Sequence, residues 1–212
     1  QMRDLAWLKR HTAEEDGVQV ADVTSAYAVL SIMGPNSRKL LSKLTDEDLS
    51  NDHFPFGTGK EIEIGYSKAL ALRVTYVGEL GWELYIPSEF AQDLYDRLLE
   101  AGKEIGLKHA GMHALNSLRL EKAYRHWGHD ITDEDTPLEA GLSFAVAWDK
   151  SGGFLGREAL IRKKENGLLK KRMVQFALEN PEPLLYHNEP IWCGNTICLL
   201  YTSPSPRDKR LS

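Results

Sequence analysis

Cysteine is almost absent from this sequence: Cys193 and Cys198 are the two among 212 residues, too few for a disulfide framework or a cysteine metal cluster. No apolar run approaches the roughly 18 residues of a membrane-spanning helix. The first residues, Gln1-Met-Arg-Asp-Leu, lack a signal-peptide core. Basic charge is not in excess: 26 Lys and Arg stand against 31 Asp and Glu, a net charge of −5. Neither nucleic acid nor an anionic membrane is therefore expected as a partner. The expected location is cytoplasm or mitochondrial matrix, with any targeting segment outside this sequence. Also missing are a glycine-rich phosphate loop and a dinucleotide fingerprint. His113, His126 and His129 lack the paired spacing of a metal site, so no metal is expected.

What remains is 42% apolar, enough for one good core, or one domain with part of another. Val18 to Val23 and Ala26 to Ile32 read as strands, and Gly34-Pro35-Asn36 as a turn ending in a helix N-cap with Leu40, Leu41 and Leu44 inward. Thr45 to Asp48 resembles a capping box for a short helical turn, and Lys60 to Gly65 a charged strand. Ser88 is a candidate N-cap for a helix whose Phe90, Leu94, Leu98, Ala101 and Ile105 recur at helical spacing and which Gly106 ends. A second helix is predicted from about His113 to Trp127, with Leu115, Leu118 and Ala123 inward and Arg119, Glu121 and Arg125 facing a partner or water. Leu142 to Trp148 reads as a strand, Arg157 to Glu165 as a charged helix, and Leu168 to Leu178 as the first strand of a new unit. Strands and helices with adjacent antiparallel arms imply an α+β fold rather than a doubly wound sheet.

The most informative stretch runs from Ala71 to Pro87, Ala-Leu-Arg-Val-Thr-Tyr-Val-Gly-Glu-Leu-Gly-Trp-Glu-Leu-Tyr-Ile-Pro. Alternation puts Leu72, Val74 and Tyr76 on one side of a first arm and Trp82, Leu84 and Ile86 on one side of a second. Pairing Tyr76 with Trp82 joins these apolar faces and leaves Arg73, Thr75, Glu83 and Tyr85 on the other, where a polar ligand is readable. Arg73 is then a cross-strand partner for Glu83. Tyr76 falls on the face opposite Glu83 unless a bulge near Gly78 re-aims it.

Tyr76 to Tyr85 resembles the Tyr-Thr-Gly-Glu-x-Gly-Trp/Phe-Glu motif of the aminomethyltransferase family, which comprises the glycine-cleavage T-protein and the folate domains of dimethylglycine and sarcosine dehydrogenases. Asp22-Val-Thr, Ile32-Met-Gly-Pro-Asn-Ser-Arg, Ser117-Leu-Arg-Leu-Glu-Lys, Arg125-His-Trp-Gly, Pro137-Leu-Glu-Ala-Gly-Leu and Phe154-Leu-Gly-Arg-Glu-Ala-Leu recur in the family's order. The T-protein's ligand-contacting arginine on the helix around Ser117 is replaced by Leu115, which places the sequence with the dehydrogenases.

The resemblance implies an α+β aminomethyltransferase-like folate-binding domain over 1–167, followed by the truncated start of a C-terminal β-barrel over 168–197. It implies tetrahydrofolate as the small-molecule ligand, with contacts carried onto Tyr76, Glu83, Leu84, Tyr85 and the aromatic position of Phe144. Glu83 is the principal candidate, because a reduced pterin offers a ring N–H and an exocyclic amine that one carboxylate accepts as a fork. The family's catalytic aspartate would lie upstream of Gln1, as would an FAD domain, so no catalytic residue is assigned here. The implied activity is transfer of a one-carbon unit from amine demethylation to tetrahydrofolate; a non-catalytic regulatory or binding relative is the alternative. Residues 198–212 are expected to lie outside the native fold, because Cys198-Leu-Leu-Tyr-Thr-Ser-Pro-Ser-Pro-Arg-Asp resembles one reading frame of a transposon-based sequencing adapter.

Overall fold

A computed structural model describes residues 1–13, 17–167, 169, 171–180, 182 and 189–200. The chain divides into two compact units, Gln1–His109 and Ala110–Ser212. The division falls inside the stretch expected to form a single folate-binding domain.

The first unit begins with helix α1 (Met2–Arg10), which buries no residue. Its centre is an antiparallel sheet of β1 (Tyr27–Met33), β2 (Gly59–Ile64), β3 (Ser67–Leu72) and β4 (Gly81–Pro87) in the order β1-β4-β3-β2. The period of two sorts the side chains of the central strand β4. Trp82, Leu84 and Ile86 are fully buried, while Glu83 and Tyr85 between them are half-buried. On the buried face Ile62 and Ile64 of β2 and Ala69 and Ala71 of β3 join the same core. Helices α2 (Ser37–Leu41) and α3 (Ala91–Gly102) cover it with Leu40, Leu41, Leu94 and Leu98. The spacing of Leu94 and Leu98 puts both on one helix face. Helix α3 ends through a 3₁₀ turn, Lys103–Ile105, at Gly106, whose φ of 74° is the left-handed conformation of a helix C-cap.

The registers differ from the sequence expectation in a way that matters for the site. Leu72, not Tyr76, ends the first arm; it lies opposite Glu83, with Ala71 opposite Leu84 and Leu70 opposite Tyr85. The strand stops because Arg73 leaves the β3–β4 ladder. Its N–H donates to the Thr58 carbonyl (2.8 Å), its carbonyl accepts from Gly57 (2.9 Å), and its side chain is buried. Leu72 therefore shares the face of Glu83 rather than that of Trp82, and Arg73 is not a cross-strand partner of Glu83. Residues 73–80 form a loop. The motif's glycines have separate reasons: Gly78 has φ 72°, open to glycine without strain. A Cβ on Gly81 would lie 2.8 Å from Met33 Cγ and 3.0 Å from the Ile32 carbonyl.

Other local expectations are also corrected. Residues 18–23 form no strand. Thr45 to Asp48 is a turn rather than a helix: the Thr45 hydroxyl accepts from the Glu47 N–H (3.2 Å) and donates to the Glu63 carbonyl (2.5 Å). The Ser88 hydroxyl donates to the Ser25 carbonyl (3.0 Å) instead of capping α3. Asn36 occupies the N-cap of α2 without a side-chain cap bond.

In the second unit, α4 (Met112–Glu121) buries Ser117 and Arg119 instead of Leu115 and Leu118. Arg119 is 2% exposed and pairs with Asp130, and it also donates to the Tyr124 carbonyl (3.0 Å). Arg125 donates to the carbonyls of Ala140 (2.9 Å) and Ala123. Arg119, expected to face a partner or water, is buried instead, and Arg125 is half-buried. The helix ends at Glu121 with Lys122 at its C-cap, short of the expected Trp127, and the chain turns away at Ala123, a non-glycine residue at φ 56°. Leu142 to Trp148 is not a strand but contains a 3₁₀ turn, Ser143–Ala145. Helix α5 (Arg157–Glu165) matches its predicted span.

Residues 171–180 carry no strand, against the strand expected over Leu168 to Leu178; beyond them the described residues hold one two-stranded hairpin, β5 (Pro190–Cys193) with β6 (Thr196–Leu200). The second strand of that hairpin enters the adapter-like tail as far as Leu200; 201–212 lie outside the described residues.

The sequence Thr136-Pro-Leu-Glu139 folds as a reciprocal cap. Glu139 accepts from the Thr136 N–H (3.1 Å) and hydroxyl (2.7 Å), while the Glu139 N–H returns to the Thr136 hydroxyl (3.3 Å). Lys163 of α5 adds an ion pair at 2.8 Å. The lysine bond first, then the Thr136 bonds, lower the Glu139 pKa from 4.5 to about 2.

Two outcomes are expected. A carboxylate with a depressed folded-state pKa contributes stability above its unfolded value and loses it as pH falls through the folded one. Glu139→Gln should therefore abolish the part of the acid sensitivity that wild type shows between pH 4.5 and about 2, read from denaturant midpoints across that window. Gly81→Ala should lower stability by about 1–3 kcal/mol through overpacking against β1, measured by thermal melting; an unchanged melt would mean that β1 yields without cost.

Candidate functional site

The exposed face of the sheet is a small grid set by the pairing. Ser31, Glu83 and Leu72 form one row across β1, β4 and β3, and Val29, Tyr85 and Leu70 the next. Directly opposite residues share a face. Val29 and Leu70 are 47% and 45% exposed and flank the Tyr85 phenol, while Ser31 and Leu72 flank the Glu83 carboxylate. The Tyr85 hydroxyl donates to Glu83 Oε2 at 3.1 Å. This bond occupies one lone pair and orients the carboxylate, leaving Oε1 and the rest of Oε2 as acceptors. Burial, then the bond to Glu83, raises the Tyr85 pKa above its ordinary 10.0, so the phenol stays a donor. Flat apolar flanks beside a directed carboxylate suit a planar ligand carrying adjacent N–H donors.

The five residues proposed from sequence are not all brought together. Glu83 and Tyr85 are. Leu84 is 0% exposed and points into the core, so its side chain is on the opposite face and its backbone is engaged in the ladder with Leu30 and Ala71. Tyr76 is half-buried in the 73–80 loop, where strand alternation no longer assigns it a face. That loop is tied at its far end by the Leu80 carbonyl, which accepts from Gly34 N–H (2.8 Å) and the Ser37 hydroxyl (3.0 Å). Phe144 belongs to the second unit, in its 3₁₀ turn, and is 83% exposed. Sequence reasoning missed Val29, Ser31 and Leu70. Tyr27, Val29 and Ser31 alternate with apolar Ala28, Leu30 and Ile32, a period that was visible, but nothing local revealed that this strand lies beside Glu83.

A groove of about 660 Å³ lies elsewhere, among Thr45, Asp46, Glu47, Glu61, Glu63 and Lys68. Its lysines are matched by carboxylates, Lys68 by Glu61 and Lys43 by Glu104, each at 3.4 Å. Carboxylates outnumber its apolar members, Leu44 and Ile62, which makes it a solvated groove rather than a reader of an organic anion. No group of three or more His, Cys, Asp or Glu among the described residues could hold a metal, and none of their helices is long and apolar enough to cross a membrane.

An α+β unit with helices on one sheet face and a directed carboxylate on the other is the class that fold and site define. Residues 1–150 match the GCVT N-terminal domain family. The chain belongs to that family. It is 46% identical over 194 residues to 4-methylaminobutanoate oxidase (formaldehyde-forming) of Paenarthrobacter nicotinovorans, covering 92% of this chain and 23% of that protein. It is 39% identical over 206 residues to mitochondrial dimethylglycine dehydrogenase of Homo sapiens, covering 97% and 24%. Identity to the mitochondrial pyruvate dehydrogenase phosphatase regulatory subunit of Mus musculus is 35% over 192 residues, covering 88% and 22%. The chain thus spans about a quarter of these relatives' length. The glycine cleavage system aminomethyltransferase T of Bartonella henselae superposes with a TM-score of 0.55 at 29% identity, over 66% of this chain and 37% of that one.

Subtracting the alkaline absorbance titration of Tyr85→Phe from that of wild type should isolate a phenol titrating above 10.0. In a Glu83→Gln background the same difference should titrate lower, since the negative neighbour is gone. A Tyr85 midpoint indifferent to Glu83 would show that the two groups do not meet in solution.

Proposed function

We propose that this chain is the folate-binding part of a dimethylglycine or sarcosine dehydrogenase-like protein. The parent would oxidise an N-methyl amine with FAD in a separate domain and transfer the released one-carbon unit to tetrahydrofolate bound here. The observation that carries the reading is the Glu83–Tyr85 pair: a carboxylate held by a neutral phenol between exposed Val29 and Leu70, on the rigid central strand of the sheet. The pterin ring of tetrahydrofolate is planar, apolar on its faces and donor-rich along one edge, and a carboxylate accepts that edge through two charge-assisted bonds. The kinship with dimethylglycine dehydrogenase and with an aminomethyltransferase supports the same ligand class. Tyr76 and Phe144 are further proposed contacts, with Phe144 stacking on the ligand. A role for Leu84 would have to be made by its backbone.

A non-catalytic relative is the second reading, favoured by the identity to a phosphatase regulatory subunit over 88% of the chain. The two readings divide on the parent gene, where an FAD fingerprint and an aspartate upstream of Gln1 belong to the enzyme.

In the full-length protein Glu83→Gln and Glu83→Ala should weaken tetrahydrofolate binding while amine oxidation at the flavin continues. Losing the charge-assisted pair and leaving ring donors unsatisfied costs about 2–4 kcal/mol, a roughly 30- to 1,000-fold rise in dissociation constant. Gln should be the milder change, since it keeps the volume and one acceptor. Stability should move little, because among the described residues the Glu83 side chain accepts a hydrogen bond from Tyr85 alone. Calorimetric titration beside thermal melting reads both; unchanged affinity with a lowered melt would overturn the reading.

A further inference from the structure

Arg73 and Arg38 make an unusual pair. Arg73 is 9% exposed, yet among the described residues its guanidinium meets only neutral groups: Nη1 donates to the Phe54 carbonyl, Nη2 to Asn51 Oδ1 at 2.8 Å, and Nε finds no acceptor among them. Arg38 brings a second guanidinium to the same amide oxygen, at 2.7 Å, and donates from Nε to the Leu49 carbonyl at 2.8 Å. Among the described residues neither is paired with a carboxylate. Burial first, and then the charge of Arg38, lower the Arg73 pKa from its ordinary value. Both guanidiniums lie over the Trp82 ring, at 5.5 Å for Arg73 and 5.8 Å for Arg38. The negative ring face offsets part of the cost of two like charges.

A buried cation without an ionic partner is poor stabilisation, and a well-packed apolar side chain of similar volume often does as well or better. What an apolar residue lacks is direction. A guanidinium is a rigid planar fork whose donors fix its position against several acceptors at once. Here the fork acts at the residue where β3 ends. Leu72, one residue before, is opposite Glu83, and Trp82, one residue before Glu83, is the ring under both cations. The backbone of Arg73 is locked to Thr58 and Gly57. The loop that begins there carries Tyr76 and is closed at its far end by Leu80 on Gly34 and Ser37.

We propose that Arg73, held with Arg38 on Asn51, is a positioning residue: it sets the 73–80 loop and the Trp82–Glu83 segment in the arrangement that a ligand meets. It touches no ligand, since it lies on the core side of the sheet over Trp82. The inference rests on the reading of Glu83 as the ligand's acceptor, and it adds that the geometry of that acceptor is maintained from the opposite side of the sheet. Asn51 is part of the arrangement, because its side-chain oxygen accepts from both cations.

The test uses the full-length protein and 5-formyltetrahydrofolate as probe, with two readouts: binding by calorimetry and amide exchange across residues 73–80. Arg73→Met should retain a cooperative melt, speed exchange in the loop by roughly ten-fold and raise the probe's dissociation constant roughly ten-fold. Arg73→Lys keeps the charge but not the fork and should behave like Met. Asn51→Asp keeps the accepting oxygen and should match wild type in both readouts. If Arg73→Met does not fold, Asn51→Leu, which removes the shared acceptor and leaves both arginines, is judged by the same criteria. Wild-type exchange and affinity in Arg73→Met, or full rescue by Lys, would overturn the proposal. Absence of probe binding in wild type would overturn the folate reading, and the exchange arm alone would then decide whether Arg73 positions the loop.

Discussion

The alternation of β4 is the constraint on which the first unit depends. One strand carries Trp82, Leu84 and Ile86 into the core and Glu83 and Tyr85 out of it, and because β4 is paired on both sides it cannot slip without exposing three fully buried residues. A slip of one residue would invert every side chain. The same packing that stabilises the sheet therefore fixes where the carboxylate projects. Position and direction of Glu83 are consequences of core burial, and the Tyr85 hydroxyl then selects its orientation.

Both units use buried arginine as a fastener, with different partners. In the second unit Arg119 meets Asp130, and the Asp130 carboxylate also accepts from the His126 N–H at 2.8 Å. Its other oxygen, Oδ1, is buried and finds no donor among the described residues. Apolar burial there is slight: Ile131 and Ala140 are the buried apolar residues among those described beyond His109. Polar capping through Thr136, Glu139 and Lys163 holds backbone that a larger core would otherwise hold. In the first unit an extensive apolar core is present, and Arg73 contributes direction at the one place where the ladder ends.

Elements with strong local signals were legible in the sequence. The two-residue period around Trp82 and Ile86, the i, i+4 leucines of α3, the charged helix α5 and the glycine stop at Gly106 all appear where the pattern places them. So does the α+β class. The register of Leu72 with Glu83 was not legible, because Arg73-Val-Thr-Tyr76 continues the alternation of a strand. Only bonds to Thr58 and Gly57, distant in sequence, end it. The burial of Arg119 was hidden for a similar reason, since its partner Asp130 lies in a loop beyond the helix. For the site, Glu83 and Tyr85 were readable as neighbours on one strand face, whereas Leu84 came from the resemblance alone, and the alternation that groups it with Trp82 and Ile86 buries its side chain. Val29 and Leu70 belong to strands whose pairing no local pattern announces.

The central claim is that the outward face of β4 receives the edge of a planar, donor-rich ring on Glu83. A structure of the full-length protein with tetrahydrofolate bound tests it most directly. The account predicts the pterin ring seated beside Val29 and Leu70 with two ring or amine nitrogens within about 2.7–2.9 Å of the Glu83 carboxylate, and the Tyr85 hydroxyl still on Oε2. A bound pterin whose donors are met by other residues, with the Glu83–Tyr85 pair unengaged, would contradict it.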